Sequence, residues 1–140
     1  MALTLLPAAA APGLNGVLRV TSDYLNGTYT KSDGRPSLQA NVDWLADSGF
    51  YVGSWLSTID FGGAHAEALP YLGIHRKLAE DLSADLSLAG YLYERRVFGQ
   101  RADYGELYGA VHFSDLLTTG FSFAPDPYGQ GGTATNLKSK

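Results

Sequence analysis

The stretch DLSADLSLAGYLY at residues 81–93 restricts the fold of this chain more than any other feature. From Leu82 to Leu92 every second residue is leucine, alanine or glycine, and most residues between them are serine, aspartate or tyrosine. A period of two predicts a β-strand with unlike faces. In a water-soluble barrel the leucines would point inward. In an outer-membrane barrel they would meet lipid, and the polar residues would line the interior.

The composition is that of one β-rich domain. Only 17% of the 140 residues are charged, and the chain has 17 glycines and 9 tyrosines. Soluble domains usually have about a quarter of their residues charged. The net charge of -4 gives no reason to expect a nucleic-acid partner. Cysteine is absent from the sequence, which excludes disulfides, thiolate metal sites and a cysteine nucleophile.

Turn residues divide the chain into seven segments, which we predict as strands at residues 16–24, 37–45, 50–59, 65–78, 81–93, 104–113 and 116–123. Short connections at 46–49, 79–81 and 114–115 alternate with long ones at 26–36, 60–64 and 94–103. Bacterial outer-membrane barrels have short turns at one end and long loops at the other. We therefore predict an all-β fold, an antiparallel up-and-down meander of about seven or eight strands that forms a complete or incomplete outer-membrane-type β-barrel.

The two termini differ from this pattern. Residues 1–13, MALTLLPAAAAPG, combine a short apolar stretch with small residues, and we predict a signal peptide or part of one. A disordered apolar N-terminus is the alternative. We assign the barrel domain to residues 14–128. Residues 129–140 are polar, contain glycine and have no strand period, so we predict a disordered tail.

Sorting the strands by parity separates two sets of side chains. The predicted lumen-facing polar residues are Arg19, Asp23, Asp43, Glu67, His75, Lys77, Asp85, Glu106 and His112. The predicted lipid-facing residues are Leu38, Val42, Leu72, Ile74, Leu86, Leu88, Leu107, Val111 and Phe121. Aromatic residues lie near strand ends, among them Trp44, Tyr51, Tyr91, Tyr93 and Phe123, which suggests the interfacial girdles of a membrane barrel.

Several ordered segments resemble the Gcw_chp family of uncharacterised bacterial proteins. They are VTSDY at 20–24, DGRPSLQ at 33–39, DSGFY at 47–51, DYGELY at 103–108 and FAPDPYG at 123–129. The resemblance implies an exported, outer-membrane β-barrel protein, and it supplies no catalytic residue. This chain departs from the family pattern in the LNGTYT loop after Tyr24, and it stops soon after Tyr128. We therefore expect a C-terminally truncated member.

Two chemical hypotheses involve the histidines. His65 and His75 lie ten residues apart on one predicted strand, roughly 33 Å, so they cannot share a metal ion. His112 and Ser114, two residues apart, resemble the histidine and serine of outer-membrane lipid deacylases, with Glu106 or Asp126 to orient the base. We favour a lumen histidine and a turn serine, because parity points His112 inward, away from any acyl chain.

We predict an outer-membrane protein with a structural or porin-like role, in contact with outer-membrane lipid and, through its lumen, with a small solute. We expect no reaction, no cofactor and no metal. Two alternatives stay open. One is a soluble periplasmic β-barrel that binds a small apolar ligand among its leucines. The other is an outer-membrane lipid hydrolase built on His112 and Ser114.

Overall fold

The computed structural model describes residues 12–26, 28–114, 116–127 and 131–139. Its strands are β1 (Gly13–Thr21), β2 (Leu25–Asn26), β3 (Tyr29–Thr30), β4 (Ser37–Leu45), β5 (Phe50–Phe61), β6 (Ala64–Ala79), β7 (Leu82–Tyr93), β8 (Tyr104–Phe113), β9 (Leu117–Pro125) and β10 (Thr133–Ser139). Eight of them form one sheet in the order β1-β4-β5-β6-β7-β8-β9-β10. Strands β2 and β3 form a separate two-stranded ribbon.

Every neighbouring pair in the sheet is antiparallel, so the predicted up-and-down meander is confirmed. Within the described ranges β1 and β10 are the two edges, and no ladder joins them. The sheet is therefore open rather than closed into a barrel. No helix in the described part of the chain is long and apolar enough to cross a membrane.

The predicted disordered tail at residues 129–140 is wrong for Thr133–Ser139. This segment pairs with β9 along its whole length as strand β10. Its polar sequence has no strong alternation, but an antiparallel neighbour supplies the backbone hydrogen bonds that hold it. The predicted signal peptide at residues 1–13 lies outside the described residues, apart from Pro12 and Gly13.

The predicted alternation of short and long connections holds only in part. The connection expected to be long at residues 60–64 is a two-residue turn, in which Gly62 and Gly63 have φ values of 59° and 94°. Two successive positive φ angles close a tight hairpin, and glycine adopts them without steric cost. This turn lies at the same end of the sheet as the connections 22–36, 94–103 and 126–132, which we call the loop end. The opposite end, with turns at 46–49, 80–81 and 114–116, is the turn end.

The sheet has two chemically different faces. The inner face carries the side chains that the fold buries, namely Ser37, Gln39, Asp43, Tyr51, Ser57, Ile59, Glu67, Leu69, Tyr71, Ser87, Ala89, Tyr91 and Tyr93. The outer face carries large exposed apolar side chains, namely Leu38, Val42, Val52, Leu56, Leu72, Leu86, Leu88, Leu92, Val111, Phe113, Leu117, Phe121 and Phe123.

Tyrosine rings fill much of the inner face. Tyr51, Tyr71 and Ala89 form one buried cluster, and a larger cluster at the loop end contains Tyr91 and Tyr93. The expectation of an aromatic girdle is thus wrong for Tyr51, Tyr91 and Tyr93, which lie inside. The Tyr51 hydroxyl bonds Ser87, the Tyr91 hydroxyl bonds Tyr108, and the Tyr93 hydroxyl accepts from Lys31, so an inward position satisfies all three. Trp44, Phe50 and Phe123 are exposed on the outer face.

Candidate functional site

A lysine and a glutamate form an ion pair inside the loop end of the sheet. Lys31 follows the ribbon strand β3, and its ammonium group pairs with the carboxylate of Glu67 on the inner face of β6. Both side chains have 0% exposure. Water cannot solvate these charges, so each needs other polar partners.

Two tyrosines supply those partners. The Tyr24 hydroxyl donates to Oε1 of Glu67 at 2.8 Å, and Nζ of Lys31 donates to the Tyr93 hydroxyl at 3.0 Å. The ammonium group also lies 5.3–5.7 Å from the ring centroids of Tyr24, Tyr91 and Tyr93. A cation gains stabilisation over aromatic faces, more so when it is desolvated. We call Lys31, Glu67, Tyr24 and Tyr93 the buried polar cluster.

The connection between β1 and β4 holds Lys31 in this position. The Lys31 amide donates to the Tyr24 carbonyl at 2.7 Å, and the Lys31 carbonyl accepts from the Asp60 amide at 2.7 Å. These bonds tie the residue to the ribbon on one side and to β5 on the other. The connection therefore folds over the loop end instead of extending into solvent.

Asp23 organises the same connection. Its carboxylate accepts hydrogen bonds from the hydroxyl groups of Thr30 and Ser32. These two bonds, with that from Thr30 the larger effect, hold the pKa of Asp23 below its ordinary value of 3.8. The Ser32 hydroxyl also accepts from the Tyr24 amide at 2.8 Å. Asp23 thus links the two sides of the ribbon next to Lys31.

Further polar groups lie along the inner face between the two ends. The Tyr71 hydroxyl donates to Oδ1 of Asn41 at 2.9 Å, and Nδ2 of Asn41 donates to Asp43 at 3.1 Å. The Tyr108 hydroxyl donates to Glu106 at 2.6 Å and bonds the Tyr91 hydroxyl at 2.7 Å. The inner face therefore carries two separate groups of hydrogen-bonded polar side chains among its tyrosine rings.

At the turn end, one carboxylate joins two histidines. Asp85 on β7 lies 3.0 Å from Nδ1 of His75 and 2.8 Å from Nε2 of His112. A carboxylate accepts hydrogen bonds, so this arrangement suits an N–H group at each of the two ring positions. The other ring nitrogen of His112, Nδ1, lies 2.9 Å from the Thr118 hydroxyl oxygen. His75 and His112 border a polar cleft of about 290 Å³ that Lys77, Glu80 and Asp81 also line.

The geometry does not assemble His112 and Ser114 as a catalytic pair. Both nitrogens of His112 are engaged by Asp85 and Thr118, which leaves neither to activate Ser114. The backbone amide of Ser114, in the β8–β9 turn, donates to the carbonyl oxygen of Asp81 in the β6–β7 turn. The Glu106 carboxylate accepts from the Tyr108 hydroxyl. Among the described side chains, no three of His, Asp or Glu converge as metal ligands.

The residues predicted to face the lumen differ in their burial. Asp43 and Glu67 are buried, Asp23, Asp85, Glu106 and His112 are half-buried, and Arg19, His75 and Lys77 are exposed. Exposure of the last three is explained by their positions on the edge strand β1 and at the turn end of β6. Arg19 lies 6.0 Å from the Trp55 ring.

The residues predicted to face lipid lie on the outer face. Leu38, Val42, Leu72, Leu86, Leu88, Val111 and Phe121 are exposed, and Ile74 and Leu107 are half-buried. A barrel that binds an apolar ligand would need these side chains around its interior. The observed arrangement is the opposite of that requirement.

Sequence reasoning missed Lys31, because a lysine in a polar loop ordinarily points to solvent. Its partners Glu67 and Tyr93 lie 36 and 62 residues away. The only local signal was Asp23, eight residues earlier, with hydroxyl residues at positions 30 and 32 that favour local side-chain hydrogen bonds.

Comparison with known proteins adds one relationship. The family model of Gcw_chp, a bacterial protein of unknown function, matches residues 8–137. No curated protein matches the chain, and no solved structure does so. Because the match covers nearly the whole chain, this protein belongs to the Gcw_chp family of bacterial proteins of unknown function.

Proposed function

We propose that this protein is a structural component of the bacterial outer membrane, with its outer face in contact with lipid hydrocarbon and its polar inner face sheltered. In this role the sheet anchors the connections of the loop end at the membrane surface. It catalyses no reaction and needs no cofactor.

The outer face is the observation that carries the proposal. Large apolar side chains cover it from β4 to β9, while a lysine and a glutamate are buried on the inner side. Water-soluble proteins rarely expose a contiguous apolar surface of this extent, and such surfaces mark contact with a membrane or another protein. In transmembrane barrels, apolar residues point outward and polar residues inward.

The open edges impose a condition on this proposal. Unpaired backbone groups in hydrocarbon cost several kcal/mol each. Strands β1 and β10 must therefore be paired in the membrane, with each other or with another chain. The even number of strands suits closure, because single-chain bacterial barrels have even strand numbers.

A filled interior favours a structural role over a wide pore. Tyrosine rings and the buried polar cluster occupy the inner face at the loop end, and an eight-stranded barrel is just wide enough for its own side chains. The polar cleft at the turn end favours a second candidate, a narrow porin-like passage for a small solute. Planar-bilayer recording separates the two. Stepwise conductance with an ion selectivity that changes in Lys77→Glu would support the passage. The absence of any conductance step after the protein is inserted would support the structural role.

The two tryptophans provide a direct test of membrane contact. Trp44 is exposed on the outer face, whereas Trp55 packs against the buried cluster of the inner face. The Trp55→Phe variant retains only Trp44, and the Trp44→Phe variant retains only Trp55. Each variant would be reconstituted into vesicles of brominated phosphatidylcholine, and its tryptophan fluorescence measured. Bromine on the acyl chains should quench Trp44 strongly and Trp55 weakly.

Aqueous iodide is the matched control. Quenching of Trp44 by iodide, together with no effect of brominated acyl chains, would overturn the membrane proposal. Fractionation of the native cells adds an independent readout, since the protein should stay with outer membrane and leave it only in detergent.

A further inference from the structure

The tip of the β7–β8 connection carries a strained, exposed phenylalanine. Val97 and Gln100 bond each other's backbone at 2.9 and 3.0 Å, and the two residues between them, Phe98 and Gly99, have φ values of 49° and 78°. Positive φ suits glycine or asparagine and is unfavourable for a bulky residue. The Phe98 side chain is nevertheless 72% exposed, so burial does not compensate this strain. Strain of this kind concentrates at functional positions.

The Phe98 ring belongs to a row of three rings at the loop end, with Phe61 at the end of β5 and Tyr29 in β3. Its centroid lies 5.3 Å from that of Phe61, edge to face, and Phe61 stacks on Tyr29 at 5.6 Å. The Phe98 amide donates to the Gly62 carbonyl at 2.7 Å, which fixes the tip against the β5–β6 turn. We call Tyr29, Phe61 and Phe98 the aromatic platform.

The two connections that follow β3 and β7 also carry exposed guanidinium groups at the loop end. Arg35 is 69% exposed and pairs at 2.8 Å with Asp60, the neighbour of Phe61 in sequence. Arg95 pairs with Glu94, and Arg101, 88% exposed, pairs with Asp103. Arg96 is exposed and has no ion-pair partner among the described side chains.

We propose that the aromatic platform binds a glycan that bears phosphate groups. The carbon-bound hydrogens of a sugar ring are weakly positive and stack on the negative face of an aromatic ring. Each sugar hydroxyl both donates and accepts, and the pairs Arg35–Asp60 and Arg95–Glu94 present donors and acceptors side by side. The unpaired guanidinium of Arg96 suits a phosphate, which it can bind through two parallel hydrogen bonds. This inference goes beyond the membrane proposal, because it depends only on the surface of the loop end.

Phe98→Asn is the decisive variant, because asparagine tolerates positive φ and the turn keeps its shape. We expect this substitution to leave the melting temperature unchanged or raise it, while removing the ring that the sugar contacts. Phe98→Tyr keeps the ring and serves as the matched control. The probe is the lipid-free core oligosaccharide of lipopolysaccharide, in its native phosphorylated form and after phosphatase treatment, titrated calorimetrically against the full chain.

We expect the phosphorylated oligosaccharide to bind, and Phe98→Asn to weaken binding by about tenfold, the factor for one lost aromatic contact. Phe98→Tyr should bind like the unaltered chain. Arg96→Gln should weaken binding of the phosphorylated form and leave that of the treated form unchanged. Absence of binding, or equal affinity in Phe98→Asn, would overturn the proposal. Equal binding of inorganic tripolyphosphate would overturn it too, because that ligand has no sugar ring.

Discussion

The ammonium group of Lys31 and the carboxylate of Glu67 form an ion pair in which neither side chain is exposed to solvent. Lys31 comes from a surface connection and Glu67 from the middle of the meander. The pair therefore fastens the connection between β1 and β4 onto the sheet, with tyrosine rings around the charge. Several consequences of this arrangement and of the two faces can be measured.

Removal of Lys31 alone should destabilise the fold strongly. In Lys31→Met, Glu67 stays buried without its cation, and we expect a loss of about 3–5 kcal/mol in the free energy of unfolding. The double variant Lys31→Met/Glu67→Leu should lose less than Lys31→Met, because it leaves no unpaired charge. Arg35→Gln, in the exposed pair with Asp60, should change stability by less than about 1 kcal/mol. Urea unfolding measures all three, and equal losses in Lys31→Met and Arg35→Gln would contradict the burial of the pair.

A charge on the outer face should be costly in lipid. Leu88 lies near the middle of β7 and is 51% exposed. If this face meets hydrocarbon, Leu88→Arg should lower the free energy of unfolding in phosphatidylcholine vesicles by about 2–4 kcal/mol. Gln100→Arg, at the exposed tip of the β7–β8 connection, is the control and should have little effect. If Leu88→Arg left the free energy of unfolding in vesicles unchanged, that result would argue against lipid contact.

The inner face is packed too tightly around Gly73 to accommodate an added methyl group without loss of stability. A Cβ atom there would lie 2.4 Å from the Tyr51 ring and 2.7 Å from Cβ of Ser87. Gly73→Ala should therefore lower stability by about 1–3 kcal/mol, the usual range for an overpacked core. At Gly105 the nearest atom to an added Cβ is 3.8 Å away, so Gly105→Ala should be tolerated. Thermal unfolding followed by circular dichroism compares the two, and equal melting temperatures would be the contrary result.

The stability contributed by Asp23 should depend on pH. Its pKa is lower in the folded protein than its ordinary value of 3.8, because the hydroxyl groups of Thr30 and Ser32 bond the carboxylate. The ionised group therefore stabilises the fold at pH values above 3.8, and this contribution is lost as the pH falls through the folded-state pKa. Asp23→Asn should be less stable than the unaltered chain at neutral pH, and the difference should shrink in acid. A difference that does not vary with pH would contradict the hydrogen-bonded carboxylate.

Much of the fold could be predicted from local patterns, and the failures have identifiable causes. β4 and β8 have the predicted bounds, because strong alternation and turn residues delimit them. β10 was missed, because its pairing with β9 comes from a neighbour rather than from its own pattern. The connection at residues 60–64 was predicted to have five residues, but the hairpin is closed by Gly62 and Gly63 alone. Two successive glycines can adopt the positive φ angles that so short a turn requires.

The sequence by itself determined the meander and the division of β7 into two unlike faces, because a side chain's face follows from the local geometry of an extended backbone. Only the tertiary structure decided that Lys31 is buried against Glu67, that Asp85 joins His75 to His112, and that Phe98 lies on a row of aromatic rings. These relationships depend on the register of strands distant in the chain and on how connections fold over the sheet. No local period encodes either of them.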